Sequence, residues 1–119
     1  MIYYDKLNST QEEAKKYAEK HIDNGTIILT NNQTNGIGTH GRTWISEPRK
    51  NITFTLILYP KCKVDKMDSL TLDIGKCIID TIYDEYKYKL ELKSPNDIIH
   101  NGKKLGGILT QIVSSRRKN

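Results

Sequence analysis

Two short β-branched runs set the limits on what this chain can fold into. Thr26–Thr30 and Ile52–Tyr59 are apolar stretches bounded by turn formers, with Asn24-Gly25 before the first and Pro60 after the second. Each reads as a strand, the first of them buried. Between them lies a long, polar, glycine-rich stretch from Asn31 to Gly41 that fits neither helix nor buried strand. The chain must therefore carry a large loop between two strong strands.

Helical segments alternate with these strands. Met1 to Leu7 reads as a short strand. Ser9-Thr10-Gln11-Glu12 fits a capping box, with the Ser hydroxyl accepting from the third amide and Glu12 reaching back. The helix that follows has Ala14, Tyr17, Ala18 and His21 at helical spacing and is expected to end at Asn24-Gly25. Asp65 to Tyr86 reads as a second helix with an apolar stripe of Leu70, Ile74, Cys77, Ile78 and Tyr83. Gly75 inside it costs about 1 kcal/mol relative to Ala and marks close packing. Tyr88 to Lys93 alternates as a strand does. Ile98–His100, Asn101-Gly102 and Lys103–Val113 read as a hairpin with a type I′ turn. Ser114–Asn119 reads as a disordered tail. The order is β-α-β-loop-β-α-β-β-β, so the expected class is α+β, a mixed or antiparallel sheet with helices on one face.

Composition narrows the function. The 119 residues are enough for one domain, here 1–113, and a modest core. The net charge is +5, but the basic residues are mostly lysine and dispersed outside the tail Arg116-Arg117-Lys118. Without a basic stripe or groove-reading element, DNA is not the expected partner. No apolar run approaches the ~18 residues of a membrane span, and the start is not a signal peptide. Cys62 and Cys77 are too few for a disulfide framework or a zinc site, so no metal ligands are assigned. A reduced, cytoplasmic protein is expected, and the sequons at Asn8, Asn24, Asn32 and Asn51 read as chance.

Three segments carry the chemistry. Gln33-Thr34-Asn35-Gly36-Ile37-Gly38-Thr39-His40-Gly41-Arg42-Thr43-Trp44 combines glycines with one guanidinium and the only Trp. Backbone amides in such a loop can converge on an anion, and Arg42 offers a fork suited to carboxylate or phosphate. It lacks the Gly-Lys-Ser/Thr end of a Walker loop and does not lead into a helix. On composition alone, a flexible surface loop explains it equally well. In Lys93-Ser94-Pro95-Asn96-Asp97, Pro95 makes Ser94 extended, which holds Lys93 on a firm strand end. Asn96 and Asp97 are expected to satisfy turn amides. Locally, a Pro-containing turn with an exposed lysine is the commoner reading. Lys103-Lys104-Leu105-Gly106-Gly107 puts two glycines in a strand, the mark of a bulge or a close approach.

Taken together, these segments resemble the catalytic domain of the biotin protein ligases, or biotin–[acetyl-CoA-carboxylase] ligases. That family shows a Gly-Arg-Gly-Arg-x-Gly-Arg-x-Trp loop, a Lys-Trp-Pro-Asn-Asp segment and a Lys-Leu-x-Gly-Ile-Leu strand. The chain has Gly36 to Trp44, Lys93 to Asp97 and Lys104 to Leu109 in the same order. Ser9-Thr10 is similar to the family's Ser-Thr-Asn, with Gln11 for Asn, and Gln33 falls on the glutamine before the loop. Two arginines of the pattern are Ile37 and Thr39 here, and its Trp is Ser94. The family continues past the Gly-Gly strand with more sheet and a small β-barrel, so an incomplete class II synthetase-like biotin/lipoate ligase fold is expected.

The resemblance implies a reaction and a site. Biotin would be activated by ATP and Mg²⁺ to biotinyl-AMP and passed to a lysine of a biotin carboxyl carrier protein domain. Lys93 and Arg42 are the implied catalytic cations. Ser9, Thr10, Gln33, Gly36, Lys93 and Gly106 would bind biotin. Gly36, Gly38, His40, Gly41, Arg42, Trp44, Asn96 and Lys104 would bind ATP or the adenylate. An open sheet edge would make a homodimer or a completing partner chain plausible. The alternatives are a catalytically impaired biotin-binding or dimerisation module, and a lipoate or octanoyl transferase of the same fold.

Overall fold

The computed structural model describes residues 1–61, 67–93 and 96–113. In chain order the elements are β1 (Ile2–Tyr4), α1 (Thr10–Glu19), β2 (Thr26–Thr30), β3 (Gly36–Ile37), β4 (Thr43–Trp44), β5 (Thr53–Ile57), α2 (Met67–Tyr86), β6 (Glu91–Lys93), β7 (Asp97–His100) and β8 (Lys103–Gly107), with a 3₁₀ turn at Thr39–Gly41. They fall into two compact units. One is Met1–Pro60 with Ile112 and Val113, and the other is formed by the described residues of Lys61–Gln111. The α+β expectation holds. Among the described residues, the first unit has a mixed three-stranded sheet and the small β3–β4 ladder, and the second has an antiparallel three-stranded sheet.

In the first unit β2 is the central strand. It pairs parallel with β1, Ile2 opposite Ile28, and antiparallel with β5, Ile28 opposite Thr55. Parallel neighbours need a crossover, and α1 supplies it. Ala14 on α1 is small enough for the helix to approach Ile28, which is fully buried, and Ile57. Ile2, Tyr4, Leu7, Tyr17, Ala18 and Ile22 close around this core. Between α1 and β1, Tyr4 Oη lies 2.6 Å from Tyr17 Oη and donates to Glu13 Oε2 at 3.0 Å. The Tyr17 hydroxyl, then burial, then Glu13 hold the Tyr4 phenol well above its ordinary value.

The helix starts where the sequence predicts and ends earlier. Ser9 caps it, its Oγ accepting from Glu12 N at 3.3 Å. The Glu12 side chain pairs with Lys15 at 3.2 Å, so only half of the capping box forms. α1 stops at Glu19 because the chain enters a Schellman turn: His21 N donates to Ala18 O and Ile22 N to Tyr17 O. His21 takes the left-handed position, φ 56°, usually held by glycine. Ile22 is thereby folded back onto the core, and His21 is left exposed beyond the helix.

In the second unit α2 packs on β6. A Cβ on Gly75 would lie 2.9 Å from Leu92 Cδ1 and 3.2 Å from Ile108 Cδ1, the close packing expected of a mid-helix glycine. Asn101 and Gly102, φ 51° and 76°, make the β7–β8 turn as predicted. β8 is shorter than expected and ends at Gly107. There the chain leaves the ladder for Asn96: Ile108 N donates to Asn96 O at 2.9 Å, and Asn96 Nδ2 to Ile108 O at 3.0 Å. Residues 65–66 of the second predicted helix, Ser94-Pro95 and the tail at 114–119 lie outside the described residues. No described helix is long and apolar enough to cross a membrane.

Candidate functional site

The first unit gathers buried polar side chains at one place. Ser9, Thr10, Thr30 and Gln33 are all at most 9% exposed. Backbone pairing explains the meeting of residues distant in sequence. Leu7 N donates to Asn32 O, Thr34 N to Leu7 O and Asn35 N to Asn8 O, which lays residues 32–35 alongside the start of α1. Gln33 Oε1 then accepts from Thr10 N at 2.9 Å and lies 3.4 Å from Thr10 Oγ1. Because a backbone N–H needs an acceptor, the oxygen must face Thr10, and this orients the amide. Gln33 Nε2 is turned toward Gly36, where an added Cβ would approach it to 2.6 Å and Trp44 O to 2.5 Å. Only a hydrogen fits there, so Gly36 is required by close approach.

Gly36 also begins the ladder that shapes the loop. It pairs with Trp44, and Ile37 with Thr43. The stretch that sequence marks as a loop is thus partly a hairpin. Gly38 N donates to Arg42 O at 2.6 Å and Arg42 N to Thr39 O at 3.2 Å. His40 and Gly41 turn the chain with φ 58° and 72°. The Trp44 ring lies under Gly38, its Cε3 3.9 Å from the Cβ position there. Arg42, His40 and Gly41 are exposed at the tip.

In the second unit Lys93 ends β6, exposed, with Asp97 its cross-strand partner. The Asp97 carboxylate takes Lys104 Nζ at 2.9 Å instead of serving turn amides. Asn96 commits its side-chain amide to Ile108. Gly106 lies on the other face, opposite Ile98, with nothing within 4 Å of a Cβ placed on it. A depression of about 450 Å³ lined by Lys87, Tyr88, His100 and Asn101 holds none of the candidate catalytic or binding residues.

One contributor escapes a sequence reading. Thr55 Oγ1 lies 2.8 Å from both Thr10 Oγ1 and Gln11 Oε1, and its single proton serves one at a time. Its only sequence signal is a polar residue on the inward register of an apolar strand. Asp97 is legible in sequence as a turn residue, but its ion pair with Lys104 depends on strand register.

Comparison with known proteins converges on one family. The model of the Biotin/lipoate A/B protein ligase family matches residues 3–119. The chain is 36% identical over 112 residues to the bifunctional ligase/repressor BirA of Bacillus subtilis, covering 94% of this chain and 34% of that protein. It is 29% identical to a biotin–[acetyl-CoA-carboxylase] ligase of Mycobacterium tuberculosis, covering 75% of this chain and 35% of the relative. The structure is similar to that of the biotin protein ligase from Aquifex aeolicus in complex with biotin and ATP, with TM-score 0.83, 29% identity, and 97% and 47% of the two chains covered. The chain spans about a third of these curated relatives and about half of the solved structure. With three ordered motifs, a matching fold and a family model spanning nearly its whole length, the chain belongs to the biotin/lipoate A/B protein ligase family.

Proposed function

We propose that the chain serves a biotin–protein ligase. The biotin carboxylate attacks the α-phosphorus of ATP, an O–P bond forms, and the bond to pyrophosphate breaks. A lysine amine of a biotin carboxyl carrier domain then attacks the acyl carbon, and AMP leaves. Both steps gather negative charge, which preorganised cations and amides stabilise. In this reading Lys93 bridges the carboxylate and the α-phosphate, and Lys104 faces phosphate. Arg42, with the backbone of Gly36, Gly38 and Gly41, covers the adenylate beside His40 and Trp44. Asn96, just before β7, faces the adenylate. The proposed setting is the cytoplasm.

The observation that carries this reading is Gln33. It is 9% exposed, its oxygen is fixed by Thr10, and its amide nitrogen is thereby turned toward Gly36. A ureido carbonyl would accept from that nitrogen, with the Ser9 and Thr10 hydroxyls beside it. Gly106 remains a proposed biotin contact by resemblance. Mg²⁺ would enter with the phosphates of ATP.

Biotin-dependent release of pyrophosphate from ATP, followed by labelling of an added carrier domain, tests the proposal. Lys93→Ala should abolish release, and unchanged turnover would remove Lys93 from the mechanism. Ile37 and Thr39 favour a second reading, an impaired biotin-binding module. Two missing charge-assisted contacts at roughly 1.5–3 kcal/mol each cost about two to four decades in rate. Saturable biotin binding by calorimetry without pyrophosphate release would support that reading. Release with lipoate alone would point to a lipoate-type transferase.

A further inference from the structure

The β6–β7–β8 sheet has two unlike faces. Leu92, opposite Ile98, lies against Gly75 of α2, so their face is the helix side. Glu91, Lys93, Asp97 and Ile99 alternate with them and point the other way. In a regular ladder Lys104, two residues before Gly106, would share the face of Gly106, which pairs with Ile98 on the helix side. It does not. Gly106 opposes Ile98 while Lys104 opposes the next residue, Ile99, so Leu105 is the extra residue of a β-bulge. Leu105 is accordingly 60% exposed. The bulge moves Lys104 onto the side of Asp97 and Lys93. There Asp97 faces Lys93 across the strands and pairs with Lys104 at 2.9 Å.

We propose that Asp97 is a positioning residue: it presets the Lys104 ammonium next to Lys93 and is the internal counter-ion that an incoming polyphosphate displaces. The pair is open to solvent, with side-chain exposures of 47% and 28%, so it exchanges readily. A phosphate group, carrying more charge and more acceptor oxygens than the carboxylate, competes for both ammonium groups. This rests on the proposed role of Lys93 and Lys104 toward nucleotide phosphates, and its test needs no turnover.

The probe is inorganic pyrophosphate, titrated into the full chain at low salt and followed by NMR of ¹³C-labelled lysine side chains. The Lys93 and Lys104 signals should move together with one affinity. Asp97→Asn, nearly isosteric, should bind pyrophosphate about two- to fivefold more tightly, because an exposed competing ion pair is gone. Asp97→Glu should return the affinity toward that of the parent chain, and Lys104→Ala should erase the gain seen with Asn. A merely structural Asp97 would instead weaken binding on substitution. Unchanged or weaker binding by folded Asp97→Asn overturns the proposal, as does a titration that moves neither lysine. A chain that binds pyrophosphate in this way yet releases none from ATP and biotin would keep the inference and remove the ligase reading.

Discussion

The β3–β4 and β7–β8 hairpins turn by the same backbone geometry with different residues. Each places a non-glycine and then a glycine in the left-handed region: His40 and Gly41 at 58° and 72°, Asn101 and Gly102 at 51° and 76°. Asn-Gly announces such a turn because Asn tolerates positive φ through local hydrogen bonding. His-Gly announces it weakly. The β3–β4 ladder has only two residue pairs and is fixed by a steric fit at Gly36, whereas the β7–β8 ladder has four pairs and a bulge. The first hairpin is thus specified by packing, the second by its own turn chemistry.

The largest break in this comparison should come from the strands. Gly36→Val drives a side chain into Trp44 O and Gln33 Nε2 and should cost about 3 kcal/mol. Gly106→Ala meets nothing within 4 Å and should change stability by less than about 0.5 kcal/mol. Urea unfolding of both variants measures the contrast, and equal costs would refute it. Next come the turn glycines. Gly41→Ala and Gly102→Ala should each cost about 1 kcal/mol, since alanine disfavours positive φ. Equal losses would show that the two turns are energetically alike.

Exchanging the non-glycine turn residues should have smaller effects of opposite sign. His40→Asn should stabilise by roughly 0.5 kcal/mol and Asn101→His should destabilise by a similar amount. Amide hydrogen exchange at Arg42 and Lys103 reads each turn separately. The smallest expected effect belongs to the first unit's own pH response. Tyr4 holds its proton more tightly folded than unfolded. Its contribution is therefore full below the ordinary tyrosine value of about 10 and is lost as pH rises above it. Parent chain and Tyr4→Phe, unfolded at pH 8 and pH 11, should show a shallower alkaline loss in the variant.

Much of the scaffold was legible along the chain. Thr26–Thr30 is a strand residue for residue, Ser9 caps α1, and Asn101-Gly102 turns the second hairpin. The segment from Gln33 to Trp44 could be named as a candidate site, but its hairpin could not. β3 and β4 are two residues each, and their pairing is set by Gly36 fitting under Gln33 rather than by propensity. The end of α1 was misplaced because His21 adopts a position that sequence rules assign to glycine, and the burial of Ile22 favours that turn.

The sequence by itself determined the local elements and the residue types available for chemistry: period, caps and turn signals act over a few neighbours. Only tertiary structure decided which groups meet. Gln33 reaches Thr10 because residues 32–35 pair with residues 7–8, and Lys104 reaches Asp97 because a bulge changes its face. Side-chain facing has a period of two along a strand, so one inserted residue reverses it, and no local propensity encodes where that insertion is absorbed.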